Sequence, residues 1–438
     1  MATGLIGAVR QAGHRVAPFK VGPDYIDPGY HTLAAGRPGR NLDPVLVGEE
    51  LIGPLYRHGS SGCDLAVVEG VMGLFDGRID RAMTGPATGS TAQVAALLGA
   101  PVILVVDARG QSHSMAALLH GFSTFDESTR IAGVILNRVG SARHAEVLRQ
   151  ACEHAGVAVL GVLPRVDELS VPSRHLGLVT AVEHGRHAHA AVDAMIALVA
   201  QHVDLSAVVA AAGSRVVAEP WSPESAVGQR TARRATVALA AGKAFSFCYA
   251  EHPELLRAAG ADVVEFDPLT ERLPPDTAAL VLPGGFPEEF GTELSGNDEV
   301  RQQIAALAAG GAPVHAECAG LTYLVDDLDG HPMCGVLAGT ARFTDKLALA
   351  YREAVAASDS SLYAAGERAA GHEFHRTTVT FADSYQPAWV YRGNDVAAVR
   401  DGAVHGRVHA SYLHTHPAGL PHAVTRFVAA AATSRLAG

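Results

Sequence analysis

Cys318 stands where an apolar run meets a helical one. The segment Pro313-Val-His-Ala-Glu-Cys318-Ala-Gly-Leu-Thr-Tyr-Leu predicts a buried strand, a tight turn and the start of a helix. A cysteine at such a turn is lifted out of the backbone, and the partial positive charge of the helix N-terminus favours its thiolate. Gly320 lets the turn close, and neighbouring N–H groups are then placed to stabilise a tetrahedral oxyanion, as in nucleophile elbows. A structural cysteine would fit the same place, so placement alone does not decide. Two other segments point to chemistry. Val281-Leu-Pro-Gly-Gly-Phe-Pro-Glu288 puts a Gly-Gly turn at the end of another apolar strand, where a second oxyanion donor could arise. Ser411-Tyr-Leu-His414-Thr-His416 supplies histidines far downstream, and a cysteine activated by a sequence-distant histidine is the usual arrangement for attacking a carboxamide. His372-Glu-Phe-His375 invites a zinc-protease reading, but that site needs histidines four apart on a helix; here they are three apart in a strand-like stretch.

A second group of reactive residues lies near the amino terminus. In Val16-Ala-Pro-Phe-Lys-Val-Gly-Pro-Asp24-Tyr-Ile-Asp-Pro-Gly-Tyr-His31, Lys20 ends a strand. Glycines and prolines then fix a turn that presents Asp24, Tyr25 and Asp27. Asp64-Leu-Ala-Val-Val-Glu69-Gly-Val-Met-Gly-Leu-Phe-Asp76-Gly is an apolar strand ending in a carboxylate, then a Gly-rich loop with a second one. An acid at a strand end, followed by glycine, is how P-loop-type enzymes hold Mg²⁺ on a nucleotide.

The elements that must position these groups are short and repetitive. Val16–Val21, Leu65–Val68, Val102–Val106, Ile131–Leu136 and Val157–Leu160 are apolar runs, separated by helical stretches such as Thr91–Leu98 and Ala142–Ala155. Apolar strands alternating with helices predict a parallel sheet covered on both faces, with ligands at the carboxyl ends of its strands. Those ends are Lys20, Glu69, Asp107 and Asn137. Residues 207–234 mix small residues, prolines and charges, as a linker would. A second alternating block follows: Ala235–Ala240, Asp262–Phe266, Ala279–Leu282 and Pro313–Ala316, with hairpin-like strands near Gly371–Phe381 and Ala388–Val404. The expectation is α/β throughout, with domains at 1–206 and 235–438.

Bulk properties narrow the classes further. A net charge of −11 argues against a nucleic-acid binder, which would carry a basic stripe. Five scattered cysteines without a C-x-x-C pair read as a reduced, cytoplasmic protein and not as a disulfide scaffold or structural zinc site. No apolar run is long enough to span a membrane. Oligomeric state is not legible; a homodimer is one compatible form.

In this order, GGFPE, HAECAGLTYL, GHEFHRT and SYLHTH resemble the class I glutamine amidotransferase domain of the cobyrinic acid a,c-diamide synthase and cobyric acid synthase group. The resemblance implies that Cys318 forms the glutamyl thioester and that His414 raises its nucleophilicity. Many class I glutaminases carry a glutamate two residues after the histidine; this chain has His416 there, so the expectation is a Cys–His pair. FKVGPDYIDPGYH and VVEGVMGLFDG resemble the synthetase domain of the same group, which is similar to dethiobiotin synthetase. That implies Mg²⁺ on Glu69, with Asp24, Tyr25 and Asp76 lining the junction of the ATP γ-phosphate and a substrate carboxylate. Asn137, in VILNRVG, matches a strand-end asparagine that reads the adenine edge, and Lys20 is placed with it among the nucleotide-binding residues.

The function implied is ATP-dependent amidation of a corrinoid polycarboxylate, cobyrinic or hydrogenobyrinic acid, with glutamine-derived ammonia passing through the protein interior. Two alternatives stay open: amidation of other corrin side chains, as by cobyric acid synthase, and a partitioning-type ATPase with a silent glutaminase-like domain. The family opens with a strand and a G-x-x-x-x-G-K-[ST] loop that cradles phosphates. Here MATGLIGAVRQAG starts in what the pattern makes the first helix, so an in-frame upstream extension carrying that loop is expected.

Overall fold

The computed structural model describes residues 1–79, 85–166, 173–174, 177–228, 230–231, 233–393 and 397–434. Parts of two sequence expectations, residues 229 and 232 of the linker and 394–396 of the second hairpin, lie outside the described residues. The chain divides into two compact units, Met1–Trp221 and Ser222–Gly438.

In the first unit, β1 (Val16–Val21) is buried along its whole length. It runs parallel to β2 (Arg40–Leu42) and β3 (Leu65–Glu69). The helix Ala2–Gln11 packs closely on the helix Arg186–His202. A Cβ on Gly7 would lie 2.2 Å from Ile196 Cδ1, so the approach depends on glycine. A second parallel sheet holds β4 (Val102–Asp107), β5 (Ile131–Val139) and β6 (Val159–Pro164) in the order β4-β5-β6. β7 (Ser173–Arg174) and β8 (Gly177–Leu178) form a short antiparallel pair.

The single covered sheet expected from the alternation is therefore two three-stranded sheets among the described residues. Among the described residues β3 pairs only with β1 and β4 only with β5, so each is an edge strand there. Their apolar runs are accordingly only part-buried; every β3 residue is half-exposed.

The second unit is built on a six-stranded sheet. β9 (Ala235–Ala240), β10 (Ala261–Phe266), β11 (Thr277–Leu282) and β12 (Val314–Glu317) are parallel to one another, and a later strand joins them in the same direction. β13 (Val325–Leu328), β14 (His331–Pro332), β15 (Leu337–Ala356), β16 (Arg368–Phe381), β17 (Trp389–Arg392) and β18 (Ala398–Asp401) belong to a second, largely antiparallel sheet. β19 (Ala403–His405) and β20 (Val408–Ser411) return to the first, giving the order β10-β9-β11-β12-β20-β19. β21 (His414–Thr415) crosses back to pair with β16.

Leu280, Leu282, Val314, Ala316, Phe245, Tyr323 and Leu324 form the core beneath the strand ends. Fully burying apolar side chains of this size stabilises by about 1.5–3 kcal/mol each, which fixes where those ends lie.

One expectation needs correction here. Residues 207–234 are not a free linker. Leu205–Ala211 and Pro223–Val227 are helices, Arg215 N donates to Leu98 O, and Trp221 is buried edge-on to His58. β15, a 20-residue strand, had no sequence signal because its charges and apolar residues break a clean alternation.

Candidate active site

Three parallel strand ends of the second unit converge chemically. Cys318 follows β12 with φ 50 and ψ −97, a left-handed conformation that non-glycine residues rarely hold. Its N–H donates to Ser411 O at 2.7 Å, tying the elbow to the end of β20. Gly320 makes that turn possible, because a Cβ there would sit 2.2 Å from Leu282 O at the end of β11. The N–H groups of Ala319 and of the Gly284-Gly285 turn are the candidate oxyanion donors. The expected thiolate preference is not found: burial pushes the Cys318 thiol up, the Glu288 charge adds to it, and the opposing Ala319 N–H does not compensate. The helix that follows, Ala319–Leu324, has six residues, a weak dipole against full burial.

His414 lies in β21, opposite His372 of β16, with the two rings stacked 4.9 Å apart. It is completely buried. A Cβ on Gly284 would lie 2.3 Å from His414 Cε1, so the imidazole sits against the Gly-Gly turn. Burial lowers the His414 pKa to about 4, although the Glu317 charge acts in the opposite direction. The imidazole is neutral at pH 7 and able to accept a proton.

Glu317, which the sequence reading passed over, is buried beside it. Oε1 accepts from Thr415 N and Thr415 Oγ1, each at 3.1 Å, and Oε2 lies 3.7 Å from His414 Nδ1. His315 Nε2 is 3.4 Å from Oε1. Burial pushes this carboxyl up, but the hydrogen bond and charge of His315, with His414 and His252, outweigh it and leave the pKa at about 2. His416 is occupied differently: its Nδ1 accepts from Ala418 N at 3.3 Å and its ring packs on Tyr249 at 4.2 Å.

The His372–His375 motif is spread over both faces of a strand. His372 stacks on His414, whereas Glu373 accepts from Arg352 Nε and Tyr391 Oη, and His375 stacks on Tyr412.

In the first unit, Lys20 is buried at the end of β1, in register with Glu69 of β3. Its Nζ lies 2.6 Å from Asp27 Oδ2, 3.3 Å from Glu69 Oε2 and 3.7 Å from Asp24 Oδ2. Burial would deprotonate Lys20, but the charges of Glu69, Asp27 and Asp24 prevail and hold it cationic. Asp24 Oδ1 accepts from Ile26 N and Asp27 N, while Asn41 Nδ2 donates to Gly22 O and Asp24 O, clamping the loop. His31, buried, places Nε2 3.0 Å from Glu69 Oε2. Burial raises the Glu69 carboxyl, but the His31 hydrogen bond and Lys20 charge bring it to about 2.

Lys20, Asp24 and Glu69 are thus brought together, with Tyr25 half-buried beside Asp24. Asp27, His31 and Asn41 join them; their signal was the density of polar residues in GPDYIDPGYH and the strand register. Asp76 is exposed and accepts from Gly73 N of its own loop at 3.0 Å. Asn137 lies two residues before the end of β5 in the other sheet, in register with Asp107, which is paired with Arg109 and Arg138. Among the described residues no three His, Cys, Asp or Glu side chains form a metal-holding group. Mg²⁺ held on a nucleotide needs only one or two carboxylates beside phosphate oxygens, and an ionised Glu69 at a strand end fits that need.

Comparison with known proteins agrees with both halves. The CobQ/CobB/MinD/ParA nucleotide binding domain family matches residues 1–179, and the CobB/CobQ-like glutamine amidotransferase domain family matches residues 236–419. Hydrogenobyrinate a,c-diamide synthase of Mycobacterium tuberculosis (strain ATCC 25618 / H37Rv) is 74% identical over 432 residues, 99% of this chain and 94% of that protein. The protein of that name from Streptomyces coelicolor is 52% identical, over 99% of this chain and 95% of that one. Cobyrinate a,c-diamide synthase of Synechococcus sp. is 38% identical over 97% of this chain and 94% of that protein. No described helix is long and apolar enough to cross a membrane. A nucleotide-binding unit, a glutaminase elbow and full-length similarity at this level place the chain in the a,c-diamide synthase family of glutamine-dependent, amide-forming ligases.

Proposed function

We propose that this protein amidates the a- and c-side-chain carboxylates of hydrogenobyrinate, using ATP and glutamine. The observation that carries the reading is the strained elbow at Cys318, whose N–H is tied to Ser411 O three residues before a buried His414 packed against the Gly284 turn. The Cys318 thiol gives its proton to that imidazole as sulfur attacks the glutamine carboxamide carbon. The imidazolium returns the proton to the departing nitrogen, so ammonia leaves and a glutamyl thioester remains. Water, deprotonated by the same imidazole, releases glutamate and restores the thiol. With the thiol raised and the histidine depressed, the reactive ion pair forms only as substrate arrives, which limits idle thiolate chemistry.

In the synthetase half, a substrate carboxylate takes the γ-phosphoryl group of ATP, ADP leaves, and ammonia displaces phosphate from the acyl phosphate. Lys20 and the loop carrying Asp24 and Tyr25 hold the reacting groups at the strand ends. Asn137 reads the adenine edge, and Asp76 lines the approach to the carboxylate. Mg²⁺ held by Glu69 would offset negative charge on the transferring phosphoryl group.

One comparison favours the metal-free ring. Relatives named for hydrogenobyrinate are 74%, 52% and 50% identical, whereas those named for cobyrinate are 38–39% identical. The full-length relatives also weigh against the cobyric acid synthase alternative. Both ring acids should be assayed with ATP and glutamine, with products read by mass spectrometry, alongside Cys318→Ala. Two new amides on hydrogenobyrinate, glutamine use abolished in Cys318→Ala and ammonium use retained are expected. Glutamine use by Cys318→Ala at near wild-type rate would reject the site assignment, and preference for the cobalt ring would reject the substrate.

A further inference from the structure

In this chain the residue two places after His414 is His416, and its Nδ1 already accepts a backbone N–H. A base that must take a proton from sulfur still needs its second ring nitrogen oriented by an acceptor. We infer that Glu317, the residue immediately before the nucleophile, is that positioning residue: its carboxylate orients His414 through Nδ1 and stabilises the imidazolium formed when Cys318 is deprotonated. This rests on the Cys318–His414 reading and supplies that pair with a third member from the opposite direction along the chain.

Four observations converge on Glu317. Its Oε2 is 3.7 Å from His414 Nδ1, a separation that can close when glutamine binds, since catalytic hydrogen bonds are often long without substrate. The carboxylate is aimed there by two hydrogen bonds from Thr415, so that the acceptor is held by the residue next to the base. It is ionised despite burial, with His315, His414 and His252 around it and Tyr363 lining the same cavity. Around His414 the groups acting on its charge are Glu317 and Glu373, which favour the cation, and His375 and His315, which oppose it. His372, stacked on the ring, is held neutral by burial. Of these groups, Glu317 brings a carboxylate oxygen within ion-pair distance of the ring.

The test is Glu317→Gln in the full-length protein, assayed for glutaminase activity across pH and for amidation with ammonium salt. Glutamine at 317 can still accept from Thr415 N and Oγ1, so the fold is preserved. Its amide NH₂ would donate to His414 Nδ1, however, and hold the proton on the wrong ring nitrogen. The expected result is a fall of roughly 10²-fold or more in kcat for glutamine with KM within about 3-fold, and ammonium-dependent amidation unchanged. Because the carboxylate raises the affinity of His414 for a proton, the acidic limb of kcat/KM should also move to lower pH, by on the order of one unit. A kcat within about 3-fold of wild type, or an unmoved acidic limb, would overturn the inference. Cys318→Ala, run in parallel, separates the two readings. If it is inactive with glutamine while Glu317→Gln is active, only the role of Glu317 falls; if Cys318→Ala itself remains active with glutamine, the Cys–His assignment falls.

Discussion

At the scale of single residues, the two histidines of SYLHTH do different work. His414 is neutral, packed on the Gly-Gly turn and beside Glu317. His416 caps the turn Pro417–Gly419 and packs on Tyr249. His414→Ala is therefore expected to cut glutamine-supported turnover by roughly 10²-fold or more while ammonium-supported turnover persists. His416→Ala should instead lower stability by about 1–3 kcal/mol, through a lost cap and a buried void, with near-normal glutaminase activity per folded molecule. Thermal denaturation and steady-state assays on both variants check this. A larger catalytic loss at His416 would exchange the roles.

Elements set these residues in place through close backbone approach. The elbow needs β11, β12 and β20 to end at one level, and Gly284 and Gly320 are where side chains would push the ends apart. Gly320→Ala would drive a methyl into Leu282 O, and Gly284→Ala would displace His414. Gly284→Ala is expected to reduce glutaminase activity by roughly 10- to 100-fold with a smaller loss of stability, since an imidazole displaced by about 1 Å would leave the position from which it is proposed to take the thiol proton. Unchanged glutamine kinetics would show that the ring has room to move. The strand–turn–helix pattern at HAECAGL was legible because a buried parallel strand and a glycine elbow each have a local signature. β15 was not, because a long hairpin strand is stabilised by pairing with β16, and its own residues alternate poorly.

Across the whole molecule, the two units carry separable chemistry. Glu69→Gln removes an ionised carboxylate that pairs with Lys20 and His31 in the first unit. It should reduce amidation with either nitrogen donor by on the order of 10²-fold, while glutaminase activity measured alone survives. Loss of both activities with an altered circular dichroism spectrum would mean misfolding instead. The second unit should also be acid-sensitive. Burial depresses His414 and His252 to about 4 and His409 to about 3, against an ordinary 6.5. The unfolded chain therefore binds these protons first, and stability present above pH 6.5 should fall as pH drops towards 4 and 3. Glu317, at about 2 against 4.5, loses its contribution lower still. Denaturant midpoints measured from pH 7.5 to 4 should decline steadily, and a flat profile would contradict buried neutral histidines.

By itself the sequence determined the α/β class, the strand–turn–helix pattern at Cys318 and the family, and it nominated Cys318 and His414 for the glutaminase site. Each of these rests on patterns written within a few adjacent residues: strand hydrophobicity, turn glycines and short motifs. Only the tertiary structure decided which polar groups meet. Glu317 and Thr415 are far apart in the chain and joined by strand placement, as are Lys20 and Glu69 by the β1–β3 register. It also decided protonation: a helix N-terminus at Cys318 reads as activating in one dimension, whereas burial, which depends on everything packed around it, reverses the sign.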